Sequence, residues 1–177
     1  AKKVIGVSRF SDEEQRSYLQ GVGVETVSCD LLGSESLKRL PDAPHVFCLA
    51  GFKFGATGNE DTTWAMNALL PGRVVERYAN SQIVYVSSGN VYAYADHRGP
   101  GAAEDGALHP IGEYAQSRLG GERIAQYVAR VHGTPLLIAR WFYGTELRYG
   151  IIHDLAWKVW TGQQIGLTLG YFKHTWQ

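Results

Sequence analysis

The stretch IVYVSSGNVY, residues 83–92, decides the fold. Ile83, Val84, Tyr85 and Val86 form a short apolar run of β-branched and aromatic residues. Asn80-Ser81 bounds it on one side and Gly89-Asn90 on the other, so it reads as a buried strand. Ser87 and Ser88 follow at the carboxyl end of that strand, where open α/β sheets bind their ligands. Further along, YAQSR (residues 114–118) opens an amphipathic helix. Residues four apart share a helix face, so the Tyr114 phenol and the Arg118 guanidinium are expected to point the same way. A serine, a tyrosine and a cation one turn on make a proton-transfer set. The cation stabilises the phenolate, the phenolate moves a substrate proton, and the serine holds the substrate oxygen.

Upstream of that strand, KVIGVS (3–8) reads as a strand and 11–20 as a helix, with Ser11 as its N-cap and Gly21 and Gly23 at its end. Asp12, Glu13 and Glu14 load its first turn against the helix dipole. Residues 24–28 are a second strand, closing on Cys29-Asp30-Leu31, and a short helix over 35–40 stops at Pro41. HVFCLA (45–50) is an apolar strand ending at Gly51. A long helix spans 61–78, with Pro71-Gly72 marking a kink or break. Downstream, 93–110 is a polar loop. A helix then runs from 113 to about 132, with Ile124, Tyr127, Val128 and Val131 on one face and Gly133 as its cap. PLLIAR (135–140) is a strand, and Trp141, Phe142 and Tyr143 are expected in the core. A tryptophan-rich helix over 151–160 and a short strand over 165–169 precede Tyr171, Phe172 and Trp176. Strands alternating with helices predict an α/β, doubly wound parallel sheet with helices on both faces.

The chain has 177 residues, one domain's worth of core. Its 17 basic and 17 acidic residues cancel, with no basic stripe, which argues against nucleic acid as a partner. No apolar run approaches the roughly 20 residues of a membrane helix, and no signal-peptide pattern opens the sequence. Cys29 and Cys48 lack the spacing of a disulfide framework and suit a reducing compartment, so a cytoplasmic location is expected. The 6 histidines are not paired at ligand spacing, and no metal is expected.

Ser88 in its S-S-x-x-V-Y context and Tyr114 in Y-A-Q-S-R-L-G-G-E resemble the active-site segments of the extended short-chain dehydrogenase/reductases. These are the NAD(P)-dependent sugar-nucleotide epimerases, dehydratases and reductases. The resemblance implies a Rossmann-like NAD(P)-binding domain over 1–143, and the start of a small substrate-binding part over 144–177. The division falls near Tyr143-Gly144. It also implies Ser88, Tyr114 and Arg118 as catalytic residues, the last standing where the family has lysine. Leu49, Ala50 and Gly51 would line the cofactor, Asp30 and Leu31 would flank the adenine, and Tyr114 and Arg118 would touch it too. Ser88, Gly89 and Asn90 would meet the substrate. Gly89 and Asn90 stand where the dehydratases carry an acid pair, which disfavours dehydration. Asn67 matches a family asparagine, though such residues are often solvated. Arg140 is expected in a salt bridge or on the substrate, and Glu122 with an arginine on its own helix surface.

The glycine-rich turn that brings backbone to a pyrophosphate is not found after residues 3–8, where Arg9, Phe10 and Ser11 stand. GFKFGATG (51–58) has different spacing and reads as a mobile loop. Counting strands, 3–8 resembles the family's second strand and 24–30 its third. The first, central strand is then expected to lie outside this sequence, leaving residues 3–8 and 45–50 unpaired with each other. The rival reading takes 3–8 as the first strand and Asp30 as the ribose-binding acid. Ser8 and Arg9 stand where NAD-preferring members have an acid, so NADP is expected to be preferred. The expected partner is a small molecule, a nucleotide sugar or similar polyol, and the resemblance adds a homodimer through helices 61–78 and 113–132. Two functions remain open: an oxidoreductase or epimerase, and a member that binds NAD(P) as a structural or sensing ligand with little catalysis.

Overall fold

The computed structural model describes residues 3–165 apart from 34, 54, 56, 97 and 143–149. Strands β1 (Ile5–Ser8) and β2 (Glu25–Ser28) pair in parallel, from Ile5↔Glu25 to Ser8↔Ser28. Helix α1 (Glu13–Gly21) connects them. Its N-cap is Asp12 and not Ser11, because Asp12 accepts from the amides of Glu14 at 3.0 Å and Gln15 at 3.2 Å. Such a cap contributes about 1 kcal/mol, and its charge suits the positive end of the helix dipole. Phe10, just before it, is buried at a φ of 49°. Left-handed backbone costs a bulky residue about 1–2 kcal/mol, which burial of the ring offsets.

Strands β3 (His45–Cys48), β4 (Gln82–Ser88) and β5 (Leu136–Trp141) form a second parallel sheet in that order. Between β1 and β3 no ladder exists among the described residues, as the strand count expects. The two sheets meet in one apolar core, where Val7 and Val27 pack against a cluster that includes Leu70, Val75, Ile83 and Tyr85. Alternation along β4 puts Ile83, Tyr85 and Ser87 on the buried face. The opposite face carries exposed Phe47 on β3 and Leu137 on β5. Where a short helix was expected near residue 37 there is a single 3-10 turn, Leu37–Arg39, which Arg77 clamps by donating to the carbonyls of Leu37 and Leu40.

The long helix expected over 61–78 does not break at Pro71. It runs as α2 (Glu60–Trp64), a π turn (Ala65–Leu69) and α3 (Leu70–Arg77). Pro71 has no N–H to donate, and its ring crowds the carbonyl of Asn67 four residues back. Widening the helix by one residue relieves that clash. The released Asn67 carbonyl accepts from the Tyr85 hydroxyl at 3.2 Å. Helix α4 (Gly112–His132) crosses at the same point, and a Cβ at Gly121 would stand 2.1 Å from the Asn67 oxygen. Only glycine fits there.

That close crossing reverses one expectation. Of Ile124, Tyr127, Val128 and Val131, expected on the apolar face of α4, Val128 packs against the core and the other three are exposed. The buried side is Ala115, Ser117, Arg118, Gly121, Glu122, Ala125 and Ala129. Small residues win because the helix axes are too near for large ones, and the two long polar chains escape toward the sheet. Trp141 and Phe142 also differ from the core expectation, at 59% and 37% exposed, although Phe142 stacks on Tyr92. Loop 93–110 is anchored by an antiparallel bridge between Tyr92 and Leu108. Helix α5 (Ile151–Trp160) forms as read from the sequence and exposes Trp157, Val159 and Trp160. The expected boundary at Tyr143-Gly144, the strand over 165–169 beyond Ile165, and Tyr171, Phe172 and Trp176 lie outside the described residues. Among those described, no helix is long and apolar enough to cross a membrane, and no cluster of metal-ligating side chains occurs.

Two outcomes follow from the packing. Gly121→Ala is expected to destabilise the protein by roughly 1–3 kcal/mol in denaturant unfolding, the range for overpacking. Gly21→Ala, whose Cβ would meet nothing within 4 Å, should be neutral or stabilising. Burial pushes the Cys48 thiol up from its ordinary 9.0 to about 11, the Arg118 charge opposing. In that window the unfolded chain has lost a proton that the folded chain keeps, so the Cys48 contribution to stability falls as pH rises from 9.0 to about 11. A thiol reagent at neutral pH should label half-buried Cys29 well before buried Cys48.

Candidate active site

The carboxyl ends of β3 and β4 meet the first turns of α4. Ser88 closes β4 at 5% exposure, and its hydroxyl accepts from the Asn90 amide at 3.2 Å. That bond caps the 3-10 turn Gly89–Val91. Gly89 is buried against the Phe142 ring, whose nearest atom would lie 2.3 Å from an added Cβ, while Asn90 is half-buried. Tyr114 stands in the first turn of α4, half-buried. Its hydroxyl makes no hydrogen bond among the described residues.

Arg118, one turn later, is 4% exposed. Its Nη1 donates to the Ala50 carbonyl at 3.2 Å and its Nη2 to the Val86 carbonyl. The buried Nε has no partner among the described residues. The guanidinium lies over the Tyr85 ring, 5.3 Å from its centroid. A Cβ at Gly51 would fall 2.6 Å from Nη1, so the chain after β3 passes directly over the cation. Two tyrosines thus flank this charge, and their environments separate them. Tyr85 is 0% exposed with its hydroxyl spent on Asn67, and burial raises its pKa far beyond the ordinary value although Arg118 opposes. Tyr85 stays a neutral phenol. Of the two, Tyr114 is the one with solvent access.

Asn67 is far from solvated: it is 0% exposed and fully bonded. Its amide accepts from Phe52 N at 2.8 Å and donates to Phe52 O at 2.9 Å and to the Ser117 hydroxyl at 3.0 Å. Ser117 donates on to the Tyr114 carbonyl at 2.9 Å. One polar chain therefore joins the loop after β3 to the turn that carries Tyr114. Leu49 and Gly51 are exposed on that loop, and Ala50 is half-buried.

The remaining expected residues sit on the β1–β2 rim. Ser8 ends β1 and accepts from the Phe10 amide at 3.4 Å, and Arg9 is exposed with no side-chain partner among the described residues. Asp30 accepts from the Leu32 amide at 3.1 Å, a turn-forming bond, and Leu31 is partly buried against the core. The structure thus joins Ala50, Gly51 and Arg118 by contact and puts Ser88 and Tyr114 on the same end of the sheet. Ser8, Arg9, Asp30 and Leu31 lie at the carboxyl ends of the other sheet's strands, apart from them.

Two residues left open by sequence now have partners. Glu122 is 0% exposed and accepts from Arg140 on both carboxylate oxygens, at 2.8 to 3.2 Å, and from the Ser87 hydroxyl at 2.6 Å. Arg140 is in a salt bridge, and Glu122 pairs across to β5 and not along its own helix surface. The Glu122 hydrogen bonds raise the Arg140 pKa further above its ordinary range, against desolvation. The signal that could have found this pair is the spacing of Tyr114, Arg118 and Glu122 along one helical stripe.

The description "NAD dependent epimerase/dehydratase family" matches residues 1–146. Among solved structures, a UDP-glucuronic acid 4-epimerase from Bacillus cereus in complex with NAD is similar at 20% identity and a TM-score of 0.73. The match covers 92% of this chain and 57% of that one. A short-chain dehydrogenase/reductase superfamily protein from Agrobacterium tumefaciens with bound NAD is similar at 21% identity and a TM-score of 0.65, over 81% and 50% of the two chains. RMD from Pseudomonas aeruginosa complexed with NADPH is similar at 24% identity and a TM-score of 0.62, over 78% and 53%. No curated protein matches the chain. At these identities the solved structures establish the α/β fold with parallel sheets and flanking helices. With the family description extending from residue 1 to residue 146, the chain belongs to the NAD dependent epimerase/dehydratase family.

Proposed function

We propose that the protein is an NAD(P)-dependent oxidoreductase or epimerase of the extended short-chain dehydrogenase/reductase type, acting on a nucleotide sugar or similar polyol. The observation that carries this reading is a solvent-accessible phenol, Tyr114, heading a helix at the sheet end where β4 closes on Ser88, with the Arg118 cation one turn below. Neighbours in complex with NAD, NADPH and UDP-sugars support the substrate class. The residues present fit a dinucleotide in part. Gly51 leaves backbone bare above Arg118, and the orphaned Nε is a donor that an incoming acceptor would satisfy. Leu49, Ala50, Gly51, Tyr114 and Arg118 would hold the nicotinamide side, and Ser8, Arg9, Asp30 and Leu31 the adenosine side. When bound, the nicotinamide supplies the hydride acceptor or donor.

In this reading Ser88 orients the substrate oxygen, Gly89 and Asn90 line the substrate, and Tyr114 moves the proton. A free tyrosine ionises near 10, so proton abstraction near neutrality needs a nearby positive charge. Arg118 carries it, but as a wide fork tied to two strand carbonyls, where a lysine would present a compact ammonium. That tie favours slow turnover, and it keeps a second reading in play: a binder of NAD(P) with little catalysis. The domain division at residue 143, a cytoplasmic location, and a homodimer through helices 61–78 and 113–132 belong to the same proposal.

Single-turnover hydride transfer against pH separates the two readings. Tyr114→Phe is expected to abolish transfer while leaving NAD(P)H affinity within about twofold, and Arg118→Lys to raise the rate. A Tyr114→Phe variant as fast as the parent would make the non-catalytic binder the better account. For the cofactor, NADPH is expected to bind more tightly than NADH by roughly 10-fold or more, as one charge-assisted contact from Arg9 to a 2′-phosphate would give. Arg9→Ala should erase that difference in a fluorescence titration. Equal binding of the two cofactors to the parent would refute the preference.

A further inference from the structure

We infer that Glu122 and Arg140 are positioning residues, which lock the Ser88 end of β4 and the loop after it against the helix that carries Tyr114. The inference rests on the reading above, in which Ser88 and Tyr114 do the chemistry. Neither side chain needs to touch the substrate to act this way.

Two arms of the geometry meet on one carboxylate, and a third runs on from Arg140. Ser87 and Arg140 are ladder partners on β4 and β5, side by side on the face that α4 covers. Glu122 descends from α4 onto both, taking the Ser87 hydroxyl at 2.6 Å and the Arg140 guanidinium on both oxygens. A buried carboxylate holding a fork and a hydroxyl is a charge-assisted arrangement with little angular freedom. The third arm leaves the sheet. Arg140 Nη1 donates to the Glu104 carbonyl at 3.1 Å, and its guanidinium lies over Tyr92, 4.7 Å from the ring centroid. Tyr92 in turn donates to the same Glu104 carbonyl at 3.2 Å. The pair therefore fixes both ends of the segment between Tyr92 and Glu104, which begins just past the turn that Ser88 caps.

Position along the helix makes this matter for chemistry. Glu122 lies two turns beyond Tyr114 on the same stripe, with Arg118 between them. Arg118 holds the carbonyls of Ala50 and Val86, and Glu122 holds Ser87. Two successive polar contacts from one helix to consecutive residues of β4 set the axial register of α4. Sliding the helix would break both. The register fixes how far the Tyr114 phenol stands from Ser88, and misplacement by about 1 Å is enough to cost on the order of 100-fold in rate. Pure apolar packing, which tolerates small slides, would not hold it so tightly.

Amide hydrogen exchange on the parent, Ser87→Ala and Glu122→Gln tests the lock without needing a substrate. Glu122→Gln keeps the shape but puts an N–H₂ where Ser87 or Arg140 requires an acceptor. It is expected to speed exchange about 10-fold in peptides covering 86–91 and 98–106, with β3 and α3 within about twofold of the parent. Ser87→Ala should speed only the 86–91 peptide, because Arg140 keeps its carboxylate. Uniform acceleration in Glu122→Gln, or no change in either peptide, would overturn the proposal and leave an ordinary stabilising ion pair. The kinetic arm uses NAD⁺ with UDP-glucuronic acid as the probe. Both variants should lose turnover, by about 10-fold or more, with NAD⁺ affinity held within about twofold. Unchanged turnover in both would also overturn it. If the parent itself does not react with this probe, the substrate reading fails and the exchange pattern alone decides this one.

Discussion

The buried guanidinium of Arg118 is the constraint around which the site is assembled. A cation at 4% exposure must be surrounded by acceptors, and here these are the carbonyls of Val86, within β4, and of Ala50, two residues past the end of β3. Those carbonyls are available because β3 stops at Cys48 while β4 runs on, so the ladder between the two ends at Cys48↔Tyr85. Satisfying Arg118 thus draws α4, β3 and β4 to one point. The chain after β3 then passes so close over the cation that residue 51 has no room for a side chain. Electrostatics, backbone accounting and sterics all select the same arrangement.

A second constraint works from the other side of α4. Pro71 forces the π turn, the π turn frees the Asn67 carbonyl, and that carbonyl becomes the acceptor for Tyr85. The same widening points the Asn67 amide at Phe52 and Ser117, so a helix irregularity becomes the clamp on the loop beside Gly51. Gly121 completes the arrangement by letting α4 approach. A proline that looks like a helix breaker is better described as the source of a hydrogen-bonding group in the interior.

Strands, helices and their parallel order were legible because each carries a local signal: short apolar runs for β3, β4 and β5, and glycine or proline near many of the ends. The motif residues Ser88 and Tyr114 were legible for the same reason. What could not be read was which face of α4 packs. Apolar periodicity pointed at Ile124, Tyr127, Val128 and Val131, of which only Val128 packs on the core, whereas the close crossing at Gly121 selected alanine, serine and glycine. Asn67, Glu122 and Arg140 were also ambiguous, because burial of a polar residue depends on partners far along the chain. Ser87 and Glu122 are 35 residues apart, and no window on the sequence sees that bond. The end of the first helix erred by one residue, Ser11 for Asp12, since both are good caps and only the backbone decides.

Arginine at position 118 changes the physics of the site in a way that residue counting hides. A lysine ammonium is compact and mobile, and its three donors can turn toward whatever acceptor arrives. The arginine fork is rigid, and both terminal nitrogens already hold carbonyls that no other described group satisfies. Turning it toward a ligand would strand those two carbonyls, each at a cost of about 1–3 kcal/mol if water does not replace the donor. The cation therefore cannot follow a ligand as an ammonium would. The guanidinium nitrogen without a partner among the described residues is Nε, set back on the stem and buried. Charge is retained and adaptability is lost. In the proposed reading the same cation would also serve the phenol, so a change at position 118 made for one purpose would disturb the carbonyls it holds.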